Sequence, residues 1–174
     1  MRRILLLLAG AAILALPAAA AARAQSHGAA PGFLVVRNAL TDGGITGHPV
    51  ATVVVRGFVI GHIAQEGAVA IYHFGSGTVS TAQASGVDLT RQVVTYRGQT
   101  GTEFSGSDFR FRGVGGVWRV VVYGAGVSLY AGGVGRVSLH GSVLYPGTDG
   151  VYSFNGERFA SMPSGVVKRR LGQK

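Results

Sequence analysis

The stretch YGAGVSLYAGGVGRVSLHGSVLY, residues 123–145, decides the fold class of this chain. Apolar side chains occupy every second position before the glycine-rich segment 132–135, and the same alternation returns after it and runs to Val143. Glycine and polar residues take most of the positions between them. An apolar side chain at every second residue is typical of an antiparallel strand with one buried face and one wet face. The stretch therefore predicts strands near 126–131 and 136–144, joined by a hairpin turn at 132–135.

Similar β-branched runs, separated by glycine-rich turns, fill most of the chain, and no helical stripe occurs among them. The first of these runs predict separate strands near 51–58, 59–65 and 68–74. The run VWRVVVY, 117–123, is apolar on both sides except at Arg119, which is expected of a central strand covered on both faces. We predict an all-β fold, a single-domain antiparallel β-sandwich or flattened β-barrel of roughly 8–10 strands.

Residues 1–24 have the pattern of a cleaved, helical secretory signal peptide. Arg2 and Arg3 form a short basic start, an apolar core follows, and small residues precede a cleavage site between Ala24 and Gln25. Because no cysteine follows the apolar core, a lipoprotein anchor is excluded. We expect export through the secretory pathway to an extracytoplasmic location, which is the medium, the cell wall or the periplasm.

The rest of the chain divides into three parts by composition. Residues 25–49 form a flexible leader with room for a first strand near 33–40, residues 50–162 form the all-β domain, and residues 163–174 form a basic, partly disordered tail. The formal net charge of +9 falls to +6 when the three arginines of the signal peptide are removed. A basic exported domain attracts anionic polymers of the cell envelope.

Glycine accounts for 29 of the 174 residues, without the strict three-residue repeat of collagen. The G-x-V-x-L-x-G arm at 135–141 is similar to the arms of small exported glycine-rich all-β proteins of high-GC bacteria. The resemblance covers about residues 51–160 and rests on patterning. It implies the all-β fold and export, and it transfers no catalytic residue to this chain.

Metal-binding patterns are incomplete in this sequence. The segment GGVGRVSLH, 132–140, is close to the calcium-binding nonapeptide G-G-x-G-x-D-x-U-x, but its acidic position holds Val137. A single turn cannot supply the several oxygen ligands that Ca²⁺ prefers. His62, His73 and His140 are of a type that binds zinc, but their spacing matches no zinc motif. With no cysteine present, we predict no metal site, no cofactor and no disulfide.

Catalytic motifs are absent as well, and we predict no catalytic residue. No serine stands in a G-x-S-x-G elbow, and the glycine-rich segment 124–133 lacks the third glycine and the helix of a dinucleotide-binding turn. An envelope enzyme whose site forms only in space, for example from Ser107, Asp108 and His140, is one alternative function. A second alternative is a small outer-membrane β-barrel, which the alternation and the strand lengths also fit.

Arg110 and Arg112 are the candidate binding residues. In DFRFRG, 108–113, they share one side of a predicted strand, and Phe109 and Phe111 share the other. Two guanidinium groups on one face can bind carboxylate, sulfate or phosphate groups. We predict a non-enzymatic binding or structural protein of the cell envelope, whose partner is an anionic envelope polymer or polysaccharide. We expect no physiological nucleic-acid partner, and membrane contact only through the signal peptide or the basic tail.

Overall fold

A computed structural model describes residues 30–42, 47–83 and 89–172 of the chain. These residues form an antiparallel sheet of nine strands with no helix among them, so the predicted all-β class is confirmed. Within the same ranges there is accordingly no helix of the length and hydropathy needed to cross a membrane.

The nine strands are joined into one sheet. Their bounds are β1 Gly32–Ala39, β2 Ala51–Phe74, β3 Thr78–Gln83, β4 Thr90–Tyr96, β5 Gln99–Gly124, β6 Val127–Leu139, β7 Val151–Phe154, β8 Ala160–Ser161 and β9 Val167–Leu171. Across the sheet the order is β3-β5-β2-β6-β1-β7-β8, with β4 paired to β5 and β9 paired to β6. The strands β2, β5 and β6 therefore form its centre.

Two strands are much longer than the sequence predicts. β2 has 24 residues and β5 has 26, so the predicted division of 51–74 into three strands is wrong, and the run 117–123 is the last part of a much longer strand. The two strands pair twice: residues 51–63 of β2 lie against 109–122 of β5, and residues 66–74 run between 101–107 and 117–124. Register shifts between Arg56 and Phe58 and between Ile63 and Glu66 are β-bulges or irregularities inside a continuous strand. Glycines that resemble turn signals in the sequence therefore lie within strands.

The predicted hairpin turn at 132–135 is also wrong, because this segment lies inside β6 and pairs with β2. Its glycines allow the two strands to approach closely. A Cβ atom on Gly135 would lie 1.9 Å from the carbonyl oxygen of Val54, and one on Gly133 would lie 2.1 Å from that of Arg56. Gly133 also has a φ of 137°, which residues with a side chain rarely adopt. Glycine is therefore required at 133 and 135, because β6 and β2 lie too close together there to leave room for a Cβ atom.

The buried face of the sheet carries one main hydrophobic core, in which Trp118 is the largest fully buried side chain. Val137 is 2 % exposed and belongs to this core, as the inward side of the alternation predicts. The prediction that the same inward series continues to Val143 is wrong. β6 ends at Leu139, and Val143 is 59 % exposed in the loop that follows.

The opposite face of β5 is covered too. Ala70, Tyr72 and Val121 form a small buried cluster there, and Tyr96 packs against it. The prediction that 117–123 is a central strand is therefore confirmed, and its second face is covered at Val121 but only half-buried at Arg119.

Two segments expected outside the domain contribute strands to the sheet. β1 lies within the predicted leader, 25–49, and pairs with β6 and β7. β9 lies within the predicted tail, 163–174, and is ordered as an edge strand, because it pairs with the part of β6 that β1 leaves free. The predicted signal peptide, 1–24, and its cleavage site between Ala24 and Gln25 lie outside the described residues.

Candidate anion-binding groove

Arg110 and Arg112 are both exposed on β5, and the phenylalanines that alternate with them are buried in the core. The two faces predicted from DFRFRG are therefore correct. Arg110 lies directly across from His62 on β2, and the Nε2 atom of His62 lies 2.8 Å from Oδ1 of Asp108. This surface thus holds one carboxylate close to its two guanidinium groups. Anion binding by the arginine pair stays a prediction.

A second basic surface, which we call the basic groove, lies between β9 and the turn that joins β4 to β5. It has a volume of about 570 Å³, and its floor is formed by β2, β5 and β6. None of its lining residues is acidic, and six are cationic: Arg97, Arg119, Arg136, Lys168, Arg169 and Arg170. Side chains from four separate parts of the sequence therefore meet in one place.

The register of the sheet sets three of these arginines in one row across the strands. Arg170 of β9 pairs with Arg136 of β6, Arg136 pairs with Val54 of β2, and Val54 pairs with Arg119 of β5. Directly paired residues point to the same face of a sheet. Because neighbouring strands lie about 4.8 Å apart, the row extends over roughly 14 Å.

A second row runs beside the first, two residues along each strand. Lys168 of β9 pairs with Ser138 of β6, and Ser138 pairs with Thr52 of β2. All three residues line the basic groove. The row adds two hydroxyl groups, which can donate hydrogen bonds to an anion between the arginines.

The wall opposite β9 is the turn between β4 and β5. Arg97 and Gly98 have positive φ angles of 49° and 77°, the geometry of a two-residue type I′ hairpin. The centre of the Tyr96 ring lies 3.8 Å from the guanidinium carbon of Arg119 and 5.4 Å from that of Arg97. Such cation–π contacts hold a guanidinium group in position without neutralising its charge.

No carboxylate neutralises the charges of the groove. In the ranges that the structure describes, the only ion pair joins His62 to Asp108, and neither residue lines the groove. The Nε atom of Arg119 is buried and has no hydrogen-bond partner in the described part of the chain. A buried donor normally has a partner, so Arg119 is an exception.

Two tyrosines beside the groove stay neutral and leave its charge unchanged. Burial raises the pKa of Tyr72 and of Tyr123, and the nearby carboxylate of Glu103 raises the pKa of both further, while the Arg119 guanidinium opposes this shift. Glu103 itself accepts a hydrogen bond from Nε2 of Gln92 and does not line the groove.

The three histidines considered for zinc lie in three different surroundings. His62 contacts Asp108, His73 stacks on the only tryptophan with ring centres 4.4 Å apart, and His140 lies 4.8 Å from another histidine ring. In the described part of the chain, no group of three or more metal-binding side chains comes together. Asp108, considered with Ser107 and His140 for catalysis, has His62 as its hydrogen-bond partner instead.

Sequence reasoning missed the basic groove because its cations are far apart along the chain. The sequence offers two partial signals: the alternation around 132–140 puts Arg136 on the polar side of its strand, and the tail 163–174 is basic. Arg119 and Arg170 join Arg136 only through the register of three neighbouring strands.

A carboxylate also organises the loop that follows β6. Asp42 accepts hydrogen bonds from the Ser142 hydroxyl and, at 2.6 Å, from the backbone N–H of Val143. The Ser142 hydrogen bond is the main cause that lowers the pKa of Asp42 below its ordinary value of 3.8. The ionised carboxylate is therefore the form that the folded protein favours.

We expect this aspartate to make the fold sensitive to acid. Because its pKa is lower in the folded state, its contribution to stability is complete above about pH 3.8 and is lost as the pH falls through the folded-state pKa. Thermal melting of the wild type and of Asp42→Asn should therefore give a Tm difference that is constant near neutral pH and shrinks below about pH 3.8. A Tm difference that stays constant through the acid range would contradict this assignment.

Among the described residues, the basic groove is therefore the feature best suited to bind an anion. It combines cations from several strands with hydroxyl groups and one aromatic ring. Comparison with known proteins finds no family model, no curated protein and no solved structure that matches the chain.

Proposed function

We propose that this protein is an exported, non-enzymatic binding protein of the cell envelope, which holds an anionic polymer in its basic groove. The observation that carries the proposal is the set of six cationic residues that line one groove with no acidic residue among them. Like charges held close together repel one another, so a bound anion lowers the energy of the groove.

The extent of the cationic array favours a polymer over a small ion. Arg170, Arg136 and Arg119 share a row that spans roughly 14 Å, which is several times the width of one carboxylate or sulfate group. A chain that carries one anionic group after another can contact all three guanidinium groups at once. A single small anion would leave most of the row without a partner.

The chemistry of the groove suits carboxylate, sulfate and phosphate groups. A guanidinium group presents paired donors that match two oxygens of such an anion. Ser138 and Thr52 supply hydroxyl groups between the cations, and the Tyr96 ring offers an apolar face beside them. A polysaccharide has anionic groups, hydroxyl groups and apolar sugar faces, and it could use all three features.

Export and closure of the sheet are part of the same proposal. Export is supported by the signal-peptide pattern of residues 1–24. A sandwich or flattened barrel is supported by the double pairing of β2 with β5, and by one core cluster that unites side chains of distant strands such as Leu34, Trp118 and Leu171. A closed sheet would present the groove as a rigid surface to its ligand.

The groove can be tested with a pair of variants that lose the same charge. The double variant Arg136→Gln/Arg170→Gln should weaken binding to polygalacturonate, dextran sulfate or polyphosphate by about tenfold or more at low salt, because two guanidinium contacts are lost. The slope of log K against log salt concentration should fall by about two. Titration calorimetry measures both quantities, with neutral dextran as the blank.

The matched control is Arg110→Gln/Arg112→Gln, which removes two positive charges from the other basic surface. This variant should keep most of the wild-type affinity if the groove is the binding site. A larger loss in the control than in the groove variant would move the site to Arg110 and Arg112. Equal losses in both would show that binding depends on net charge alone.

A further inference from the structure

The loop between β6 and β7 exposes three consecutive apolar side chains. Val143, Leu144 and Tyr145, which we call the apolar tip, are 59 %, 71 % and 59 % exposed. Single exposed apolar residues are ordinary, whereas a contiguous exposed patch marks an interaction site. None of the three lines the basic groove. The tip therefore needs an explanation of its own.

The backbone of the apolar tip is hydrogen-bonded from within the protein. The N–H of Val143 donates to Oδ2 of Asp42 at 2.6 Å. The N–H groups of Leu144 and Tyr145 both donate to Oγ of Ser142, at 3.1 Å and 2.9 Å. An amide that already has a partner loses no hydrogen bond when it leaves water. The tip can therefore enter an apolar medium without exposing unpaired backbone donors to it.

The loop is also anchored to the body of the protein. Ser142 and Asp149 are both fully buried, and Oδ2 of Asp149 accepts a hydrogen bond from the N–H of Ser142 at 2.6 Å. Asp149 is buried, whereas the Asp42 carboxylate is half-buried and stays ionised at the base of the tip, where it accepts the N–H of Val143. The tip is therefore prearranged, with one negative charge at its base.

A basic edge begins at the base of the same loop. Leu139, the last residue of β6, pairs with Val167, the first residue of β9. Val166 is 57 % exposed next to this point and extends the apolar surface. The three residues that follow, 168–170, are all cationic and exposed. The cations of β9 therefore begin at the end of β6 from which the loop leaves, next to the exposed Val166.

We propose that the apolar tip inserts into the surface of a lipid bilayer with anionic headgroups, while the cations of β9 contact those headgroups. Anionic headgroups attract lysine and arginine, and tyrosine favours the interface between water and hydrocarbon. The membrane contact is then made by a loop of the folded domain, which lies outside the basic groove, together with Lys168, Arg169 and Arg170, which also line that groove. Lipid and polymer would therefore share the cations of β9, whereas the apolar tip would contact lipid alone. A protein partner for the tip is the competing occupant.

The first test measures co-sedimentation with vesicles of phosphatidylglycerol and phosphatidylcholine. The wild type should bind these vesicles more tightly than vesicles of phosphatidylcholine alone. Leu144→Ser should weaken binding by about tenfold or more, because one large apolar side chain no longer leaves water. The control is Val93→Ser on β4, where the side chain is 76 % exposed, and it should bind like the wild type. Equal binding by both variants would overturn the proposal.

A second test locates the tip directly. Because the chain contains no cysteine, Leu144→Cys and Val93→Cys each offer one attachment point for an environment-sensitive dye. Anionic vesicles should shift the emission of the dye at 144 to the blue and leave the dye at 93 unchanged. The proposal is wrong if the protein does not bind the vesicles, or if it binds them while the dye at 144 stays in water, as it would if the tip served a protein partner.

The two proposals fail separately. Polymer binding by Arg136→Gln/Arg170→Gln is measured without lipid, and insertion of the tip is measured without polymer. A negative result in one experiment therefore does not contradict the other proposal.

Discussion

Replacing Gly135 by alanine is expected to lower the free energy of unfolding by about 3 kcal/mol, or to prevent folding. The added Cβ atom would lie 1.9 Å from the carbonyl oxygen of Val54 and 2.8 Å from the Cα atom of Val55. Both contacts are with backbone atoms, so no side-chain rotation can relieve them. β6 would have to move away from β2, and the central pairing of the sheet would be disturbed. Urea unfolding, followed by the fluorescence of the single tryptophan, measures the change.

The matched control is Gly165→Ala. A Cβ atom on Gly165 would have no neighbouring atom within 4 Å, and Gly165 has no positive φ. Its replacement should therefore change the free energy of unfolding by less than about 0.5 kcal/mol. If Gly135→Ala proves as stable as Gly165→Ala, the close approach of β6 to β2 is incorrect.

The second large effect is expected for Phe111→Ala, which should lower the free energy of unfolding by about 3–5 kcal/mol. Phe111 is 1 % exposed, and its ring lies against Gly61 of β2, where a Cβ atom would be 2.2 Å from the ring. The phenylalanine ring thus fills the space that the glycine leaves open. Because Gly61 has no side chain, the truncation of Phe111 would leave a cavity next to it that stays empty. Urea unfolding of the purified variant gives the free energy directly.

Phe159→Ala controls for the loss of an aromatic ring as such. Phe159 is 41 % exposed, and its main contact is the Arg37 guanidinium, 4.7 Å from the ring centre. Its truncation should lower the free energy of unfolding by less than about 1 kcal/mol. Similar losses in Phe111→Ala and Phe159→Ala would contradict the position of Phe111 in the core.

The sequence predicts strand faces better than strand ends. Alternation correctly separates the buried phenylalanines from Arg110 and Arg112, and it correctly predicts that Val137 is buried. It does so because successive side chains of a strand point to opposite faces of the sheet. Strand ends are harder to predict, because a bulge and a turn both interrupt the alternation, and the interruption alone does not show whether the strand bends or stops. Glycine adds to the ambiguity, because a glycine inside a strand, such as Gly135, cannot be distinguished by sequence from a glycine in a turn. The position of the partner strand distinguishes the two cases.

The candidate site was harder to predict than the fold, for a related reason. Arg110 and Arg112 are two residues apart, so a strand pattern alone puts them on one face. Arg119, Arg136 and Arg170 come together because β5, β2, β6 and β9 lie side by side in one register. A single sequence contains no information on register between distant strands. Local patterns therefore favoured the arginine pair and overlooked the larger array.

The double pairing of β2 with β5 has a consequence for the order in which the chain can assemble. Ala51 pairs with Val122, and Gly67 contacts both Gly106 and Gly124, so the central contacts join residues far apart in the sequence. Closing such long loops costs chain entropy before the contacts form, and folding is then slow, on the order of milliseconds to seconds. Because one half of β2 lies between two parts of β5, neither strand can complete its pairing alone. We therefore expect the pairing of β2 with β5 to form in one cooperative transition.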